Sequence, residues 1–253
     1  MFGTNSMKLF FFLLVAHFIA DFYLQKHSWI MCKVENKQRS IGLLKHMGVH
    51  VILTSLAILL SGVTIDITSL IAFAVIIISH YAIDIWKTYR NFVIKYFLID
   101  QIGHLLVIAG ISVWLSGIDL RQSNLLLIEF FDASALMILG LYLFLCKPVS
   151  LIITLSLTKY TAQFNEEEKA NEGLASAGEL IGYFERGLIA TFILLDQFTG
   201  VGFLLAAKSV FRFGDMRRQS DRKLTEYIML GTLFSFSFGI GFGKLADYLL
   251  QIL

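Results

Sequence analysis

Eight apolar runs, each near the length a helix needs to cross about 30 Å of hydrocarbon, occupy most of this chain. They fall at residues 9–24, 43–63, 69–85, 96–115, 133–157, 180–195, 198–211 and 227–249 of 253. Hydrophobic residues make up 57%, the mean hydropathy is +0.72, and a single proline interrupts the pattern. A bilayer admits only segments that satisfy their own backbone polar groups. The expectation is therefore an all-α, polytopic membrane protein of about eight transmembrane helices, multi-pass in the cell (cytoplasmic) membrane. The seventh run is short and reads as a possible re-entrant segment. The first resembles a secretory signal in length, but it lacks a small-residue cleavage site and carries His17 and Asp21, so it reads as a retained span.

One clearly polar stretch, 159–175, with Glu166, Glu167, Glu168 and Asn171, divides the sequence. Residues 1–158 are expected to form an N-terminal transmembrane bundle and 176–253 a C-terminal helical bundle. Basic residues cluster in the first connection (Lys26, Lys33, Lys37, Arg39, Lys45), the third (Lys87, Arg90, Lys95) and the seventh (Lys208, Arg212, Arg217, Arg218, Arg222, Lys223). Because Lys and Arg near span ends stay inside, these loops are expected to be cytoplasmic and both termini outside. The net charge of +2 is spread over short loops, which excludes a nucleic-acid-binding face. Cys32 and Cys146 lie in different segments without metal-ligand spacing and read as reduced thiols.

Against this apolar background stand four pairs spaced four residues apart: His17/Asp21, His46/His50, His80/Asp84 and Asp100/His104. Residues at i and i+4 share one face of a helix. The first and third pairs fall late in their spans and the second and fourth early, so the topology sets all eight at one depth on the cytoplasmic side. An ionisable group in a bilayer costs about 2.5–3.5 kcal/mol on insertion scales. A divalent cation is the economical partner for eight of them. Imidazole with carboxylate suits Zn, with Mn or Fe(II) as alternatives, and helical bundles build dinuclear sites from such inward pairs. The candidate ligands are His17, Asp21, His46, His50, His80, Asp84, Asp100 and His104, for one or two ions. The competing readings are interhelical hydrogen bonding or a proton relay; haem is disfavoured because its axial histidines stand without carboxylate partners.

Gln25 extends the His17, Asp21 spacing by another four, Gln101 adjoins Asp100, and Lys87 follows Asp84 by three. These read as residues that support the ligands or face a substrate, with interfacial snorkelling the alternative for Lys87. His27 reads as an interfacial residue. In the C-terminal bundle Arg186, Lys208 and Arg212 are candidates to receive an anion such as phosphate. The alternative is that Glu185 and Arg186 neutralise other bundle charges. The spacings Gly178/Gly182 and Gly239/Gly243 read as close helix approaches. No Walker, Rossmann or nucleophile-elbow pattern occurs.

The strings HFIADFYLQ (17–25), HMGVH (46–50), HYAIDIWK (80–87) and LIDQIGH ending at His104 resemble the bacterial membrane-protein family catalogued as domain of unknown function 3307. The later strings ELIGYFERGLIA, GFLLAAKSVFRF and EYIMLGTLFSF look like the C-terminal half of longer members. The family name implies no established activity. More distantly, His-x-x-x-Asp is similar to an element of all-helical zinc-dependent nucleases and phospholipases C, and of membrane-bound metal-dependent hydrolases. Those soluble enzymes carry a further histidine two residues after the aspartate, where this chain has Tyr23.

The function these features point to is a membrane-embedded metal-dependent hydrolase acting on a phosphoester or lipid-linked substrate at the cytoplasmic leaflet. The expected partner is a membrane lipid or a lipid-linked or anionic small molecule. Alternatives are a metal-ion or anion transporter using the same intramembrane site, or a non-catalytic scaffold fixed by metal.

Overall fold

The computed structural model describes residues 4–115, 132–161, 172–213 and 221–253, and the secondary structure there is helical without strands. The helices are α1 Thr4–Phe18, continued by a π-helical turn Ile19–Leu24, α2 His27–Asn36, α3 Ile41–Ser61, α4 Ile67–Thr88 and α5 Ile94–Leu115. They are followed by α6 Ala133–Thr161, α7 Glu172–Leu194, α8 Phe198–Phe213 and α9 Asp221–Leu250. Among the described residues six helical segments are long and apolar enough to cross a membrane: Met7–Leu24, Ile41–Ser61, Ile67–Thr88, Ile94–Leu115, Ala133–Tyr160 and Glu226–Leu250. Phe198–Val210 is apolar but shorter. The chain is thus consistent with a multi-pass membrane protein.

Local sequence sets the helix ends. Ser40 caps α3 by accepting from the Leu43 amide at 3.1 Å. Gly62 ends that helix at φ 82°, a left-handed conformation suited to glycine. Asp66 and Ser69 form a reciprocal capping box that starts α4.

Two compact units are distinguished, Met1–Gly140 with Leu253, and Leu141–Ile252. The boundary falls inside α6; most of the 159–175 stretch, at which the sequence was divided, lies outside the described residues. In the first unit, α3 buries Leu43, His46, Met47, His50, Thr54, Ala57, Ile58 and Ser61, and α4 buries Ser69, Ala72, Ile76, His80, Asp84 and Thr88. On α5 the buried residues include Phe97, Asp100, His104, Ile108 and Ser112. Each stripe repeats every three to four residues and carries the polar side chains. The opposite faces present large apolar residues such as Ile52 (67% exposed), Ile78 (66%) and Leu106 (67%). That arrangement is the reverse of a water-soluble bundle and suits helices whose outer faces meet lipid.

In the second unit α9 packs on α7 through Gly239 and Gly243. A Cβ at Gly239 would stand 3.0 Å from Ile189, and one at Gly243 3.0 Å from Ile193 and 3.4 Å from the Ala190 Cα. The two glycines therefore serve close helix approach, whereas a Cβ at Gly178 would meet nothing within 4 Å. Pro148 sits inside α6. Its ring removes a backbone donor and disturbs the preceding turn. The Arg186 guanidinium, 2% exposed, donates to the carbonyls of Leu145 and Cys146 just before that proline.

Candidate metal centre

The helices of the first unit bring all eight predicted ligands into one buried cluster. His17 and Asp21 come from the first span, His46 and His50 from α3, His80 and Asp84 from α4, and Asp100 and His104 from α5. Seven of them are buried; Asp21 is about one-tenth exposed at its side chain. The π-helical turn places Asp21. A π turn widens the helix by one residue, a distortion common at functional sites, and it turns the carboxylate towards α3 and α4. Asp21 Oδ1 lies 2.8 Å from His50 Nε2, 3.4 Å from His46 Nε2 and 3.6 Å from His80 Nε2.

These distances carry chemical information. His46 Nε2 and His80 Nε2 are 3.3 Å apart, so with Asp21 Oδ1 they form a nearly equilateral triangle with sides of 3.3, 3.4 and 3.6 Å. A tetrahedral ion with bonds of about 2.0–2.1 Å spaces its ligand atoms about 3.3–3.4 Å apart. The triangle has the dimensions of one face of such a polyhedron. His46 Nε2 is also 3.5 Å from Asp84 Oδ2, and His104 Nε2 is 3.5 Å from Asp100 Oδ1.

Three groups have ligand atoms within 4.8 Å of one another: His17, Asp21, His50 and His80; His46, His80 and Asp84; and Asp84, Asp100 and His104. The first and third share no residue, so both can be filled at once, with His46 free to complete the first. In the third group Asp100 Oδ1 and His104 Nε2 are buried without any hydrogen-bond partner. Buried polar atoms are rarely left so, and an acceptor oxygen beside an imidazole nitrogen is what a cation would satisfy.

Around the candidate ligands stand residues that bond to them. Gln101 Nε2 donates to Asp100 Oδ2 at 3.0 Å and reaches Asp21 Oδ2 at 3.3 Å, while its Oε1 lies 3.3 Å from His17 Nε2. Lys87 donates to Asp100 Oδ2, which leaves Oδ1 as the atom turned into the cluster. Gln101 and Lys87 thus both bond to carboxylates of the cluster. Gln25 does not continue their face. The helical turn ends at Leu24, and Gln25 is extended (φ −73°, ψ 111°).

Sequence reasoning missed Lys33. It reads there as one more loop cation, yet it is 6% exposed and donates to Asp84 Oδ2 at 2.7 Å. Four residues on, Lys37 donates to the Thr88 carbonyl at 2.6 Å. The two lysines fasten α2 and its following turn to the end of α4. Cys32, beside Lys33, accepts from the Ser40 hydroxyl at 3.2 Å; that bond, ahead of contacts from Gly42, Asn36 and Ile41, holds its thiol below the usual range. His27 is exposed at the start of α2.

In the second unit Arg186 also reaches Ser235 Oγ at 3.3 Å, and Lys208 pairs with Glu185 at 2.6 Å. Both cations have partners there. The side chain of Arg212 lies outside the described residues.

The helices and this cluster define a class: a helical chain compatible with several membrane crossings, holding a buried histidine and aspartate constellation able to ligate metal ions. Residues 9–131 match the family model described as "Protein of unknown function (DUF3307)". The matched segment, which is similar to that uncharacterised family, contains all eight candidate ligands with Lys33, Lys87 and Gln101. The match does not extend to the C-terminal strings. No curated protein and no solved structure matches the chain.

Proposed function

We propose that the cluster is a dinuclear transition-metal centre, with Zn as the first choice and Mn or Fe as alternatives, in a membrane-embedded hydrolase. Its substrate is a phosphoester or lipid-linked molecule reached from the cytoplasmic leaflet, in a chain of eight spans. The observation that carries this reading is that Asp100 Oδ1 and His104 Nε2 are buried and accept or donate no hydrogen bond, with only each other at 3.5 Å as an ion pair.

The first group offers four ligands and the support of His46, enough to close a coordination shell. The third offers only three, and three protein ligands with an open position are the pattern of catalytic rather than structural sites. Asp84, Asp100 and His104 would hold a divalent ion there, which would supply Lewis-acid chemistry for activating water and polarising a phosphoryl group. The protein's own contributions follow from position. Gln101 bridges the two groups and fixes the Asp21 and Asp100 carboxylates. Lys87, whose side chain is 27% exposed, stands where an anionic group would enter beside Asp100.

The test is hydrolysis of bis(p-nitrophenyl) phosphate by the purified full chain loaded with Zn or Mn. Metal-dependent turnover that falls at least a hundredfold in Asp100→Asn supports the reading. Absence of turnover in protein shown to hold two ions rejects the hydrolase and leaves the metal centre.

One observation favours a second reading, metal-ion transit. A cavity of about 20 Å³, room for one water, is lined by His17, His50, His80 and His104 and continues to Thr54 and Ser79. Metal uptake into proteoliposomes, lost in Thr54→Leu, would favour transport over hydrolysis.

A further inference from the structure

We propose that Lys33 and Lys87 form an anion subsite at the Asp84, Asp100 and His104 group, and that a phosphate-type anion fills it together with the second metal ion. The inference rests on the metal-centre reading above and adds the condition under which the centre becomes dinuclear.

Three carboxylates, Asp21, Asp84 and Asp100, face the cluster, and two ammonium groups, Lys33 and Lys87, are bonded to two of them. With the imidazoles counted as neutral, as they are when they ligate, the metal-free cluster carries one net negative charge. A divalent ion in the first group turns this into one net positive charge. A second, in the third group, raises it to three.

An unpaired buried charge is expensive, and the expense grows when several of one sign are crowded. Lys37 and Arg90, at the same end of α4, add positive charge: the first is bonded to the Thr88 carbonyl, the second lies over the rings of Trp86 and Tyr96. Glu35, on α2, is exposed.

Geometry makes the conflict local. The second ion needs Asp84 and Asp100, and these are the carboxylates that the two lysines hold. As the ion draws on them, Lys33 and Lys87 lose their counter-charge without leaving the site, because Lys33 is buried on α2 and Lys87 lies one turn beyond Asp84 on α4. A dianion placed between the ammonium groups and the ion restores the balance to one net positive charge. Phosphate and phosphomonoesters have the charge and the acceptor oxygens for this; a neutral ligand has neither.

The experiment is Mn(II) loading of the purified full chain with and without excess inorganic phosphate, read by elemental analysis and by electron paramagnetic resonance, in which a spin-coupled pair is distinct from a single ion. One ion per chain is expected without phosphate and a coupled pair with it. Replacing both lysines (Lys33→Met with Lys87→Met) should give the pair without phosphate, whereas Lys33→Arg with Lys87→Arg should keep the requirement. If the double methionine variant does not fold, Lys87→Met alone should lower the phosphate concentration needed for the second ion at least tenfold. Two ions in the native chain without phosphate, or one ion however much phosphate is added, overturns the inference and leaves the metal centre standing. No bound ion under any condition overturns both.

Discussion

Lys33 Nζ donates to Asp84 Oδ2 at 2.7 Å across 51 residues of sequence, and both side chains are buried. Removing one partner of a buried pair strands the other charge, at about 3–5 kcal/mol. Lys33→Met should therefore lower the thermal stability of the metal-free protein by that order. Lys33→Met combined with Asp84→Asn should recover most of the loss. A double-mutant cycle by thermal unfolding in detergent checks this; a loss in the double variant equal to the sum of the two single losses would show that the pair is not coupled.

This contact also marks the limit of what the sequence shows. The clustering of the eight candidate ligands is legible because His and Asp four residues apart on apolar helices have no inexpensive solution except one another or a metal. Lys33 is not, because a lysine near the end of a span ordinarily snorkels to water; here the Asp84 carboxylate, a partner supplied by a distant helix, holds it inward. Asp21 is legible as a ligand but not in its mode of presentation. Four-residue spacing implies a continuous α-helix, whereas a π turn at Ile19–Leu24 presents it and then ends, leaving Gln25 extended. The fold was legible as helical and membrane-compatible from apolar run lengths alone. Run 180–195 differs: it belongs to a helix that begins at Glu172 and carries Glu179, Glu185 and Arg186, and it is not among the six long apolar segments.

Arg186 is expected to act within its own unit. Its guanidinium donates to the Leu145 and Cys146 carbonyls near Pro148, and a hydrogen bond from a charged donor contributes about 1.5–3 kcal/mol. Arg186→Met should lower the unfolding temperature while leaving the bound metal per folded chain unchanged. Loss of metal in chains that remain folded would show instead that Arg186 serves the centre.

From the basicity of the first and seventh connections, residues 37 and 217 are expected on the cytoplasmic side. With Cys32 and Cys146 replaced by alanine, a cysteine introduced at Lys37 or at Arg217 should resist a membrane-impermeant maleimide in intact cells and react after lysis. Labelling of either in intact cells would reverse the topology and move the site to the opposite leaflet.

The central claim is that the triangle of Asp21, His46 and His80, with its neighbours, holds transition metal. Elemental analysis of the purified chain tests it most directly, beside a variant carrying His80→Ala and Asp84→Ala, which removes a member of each of the three ligand groups. The account predicts one or two tightly bound ions per native chain and less than about a tenth of that in the folded variant, since losing even a residue that supports a ligand typically weakens a site by about 10–100-fold. Undiminished metal in the variant, or none in the native chain, would contradict it.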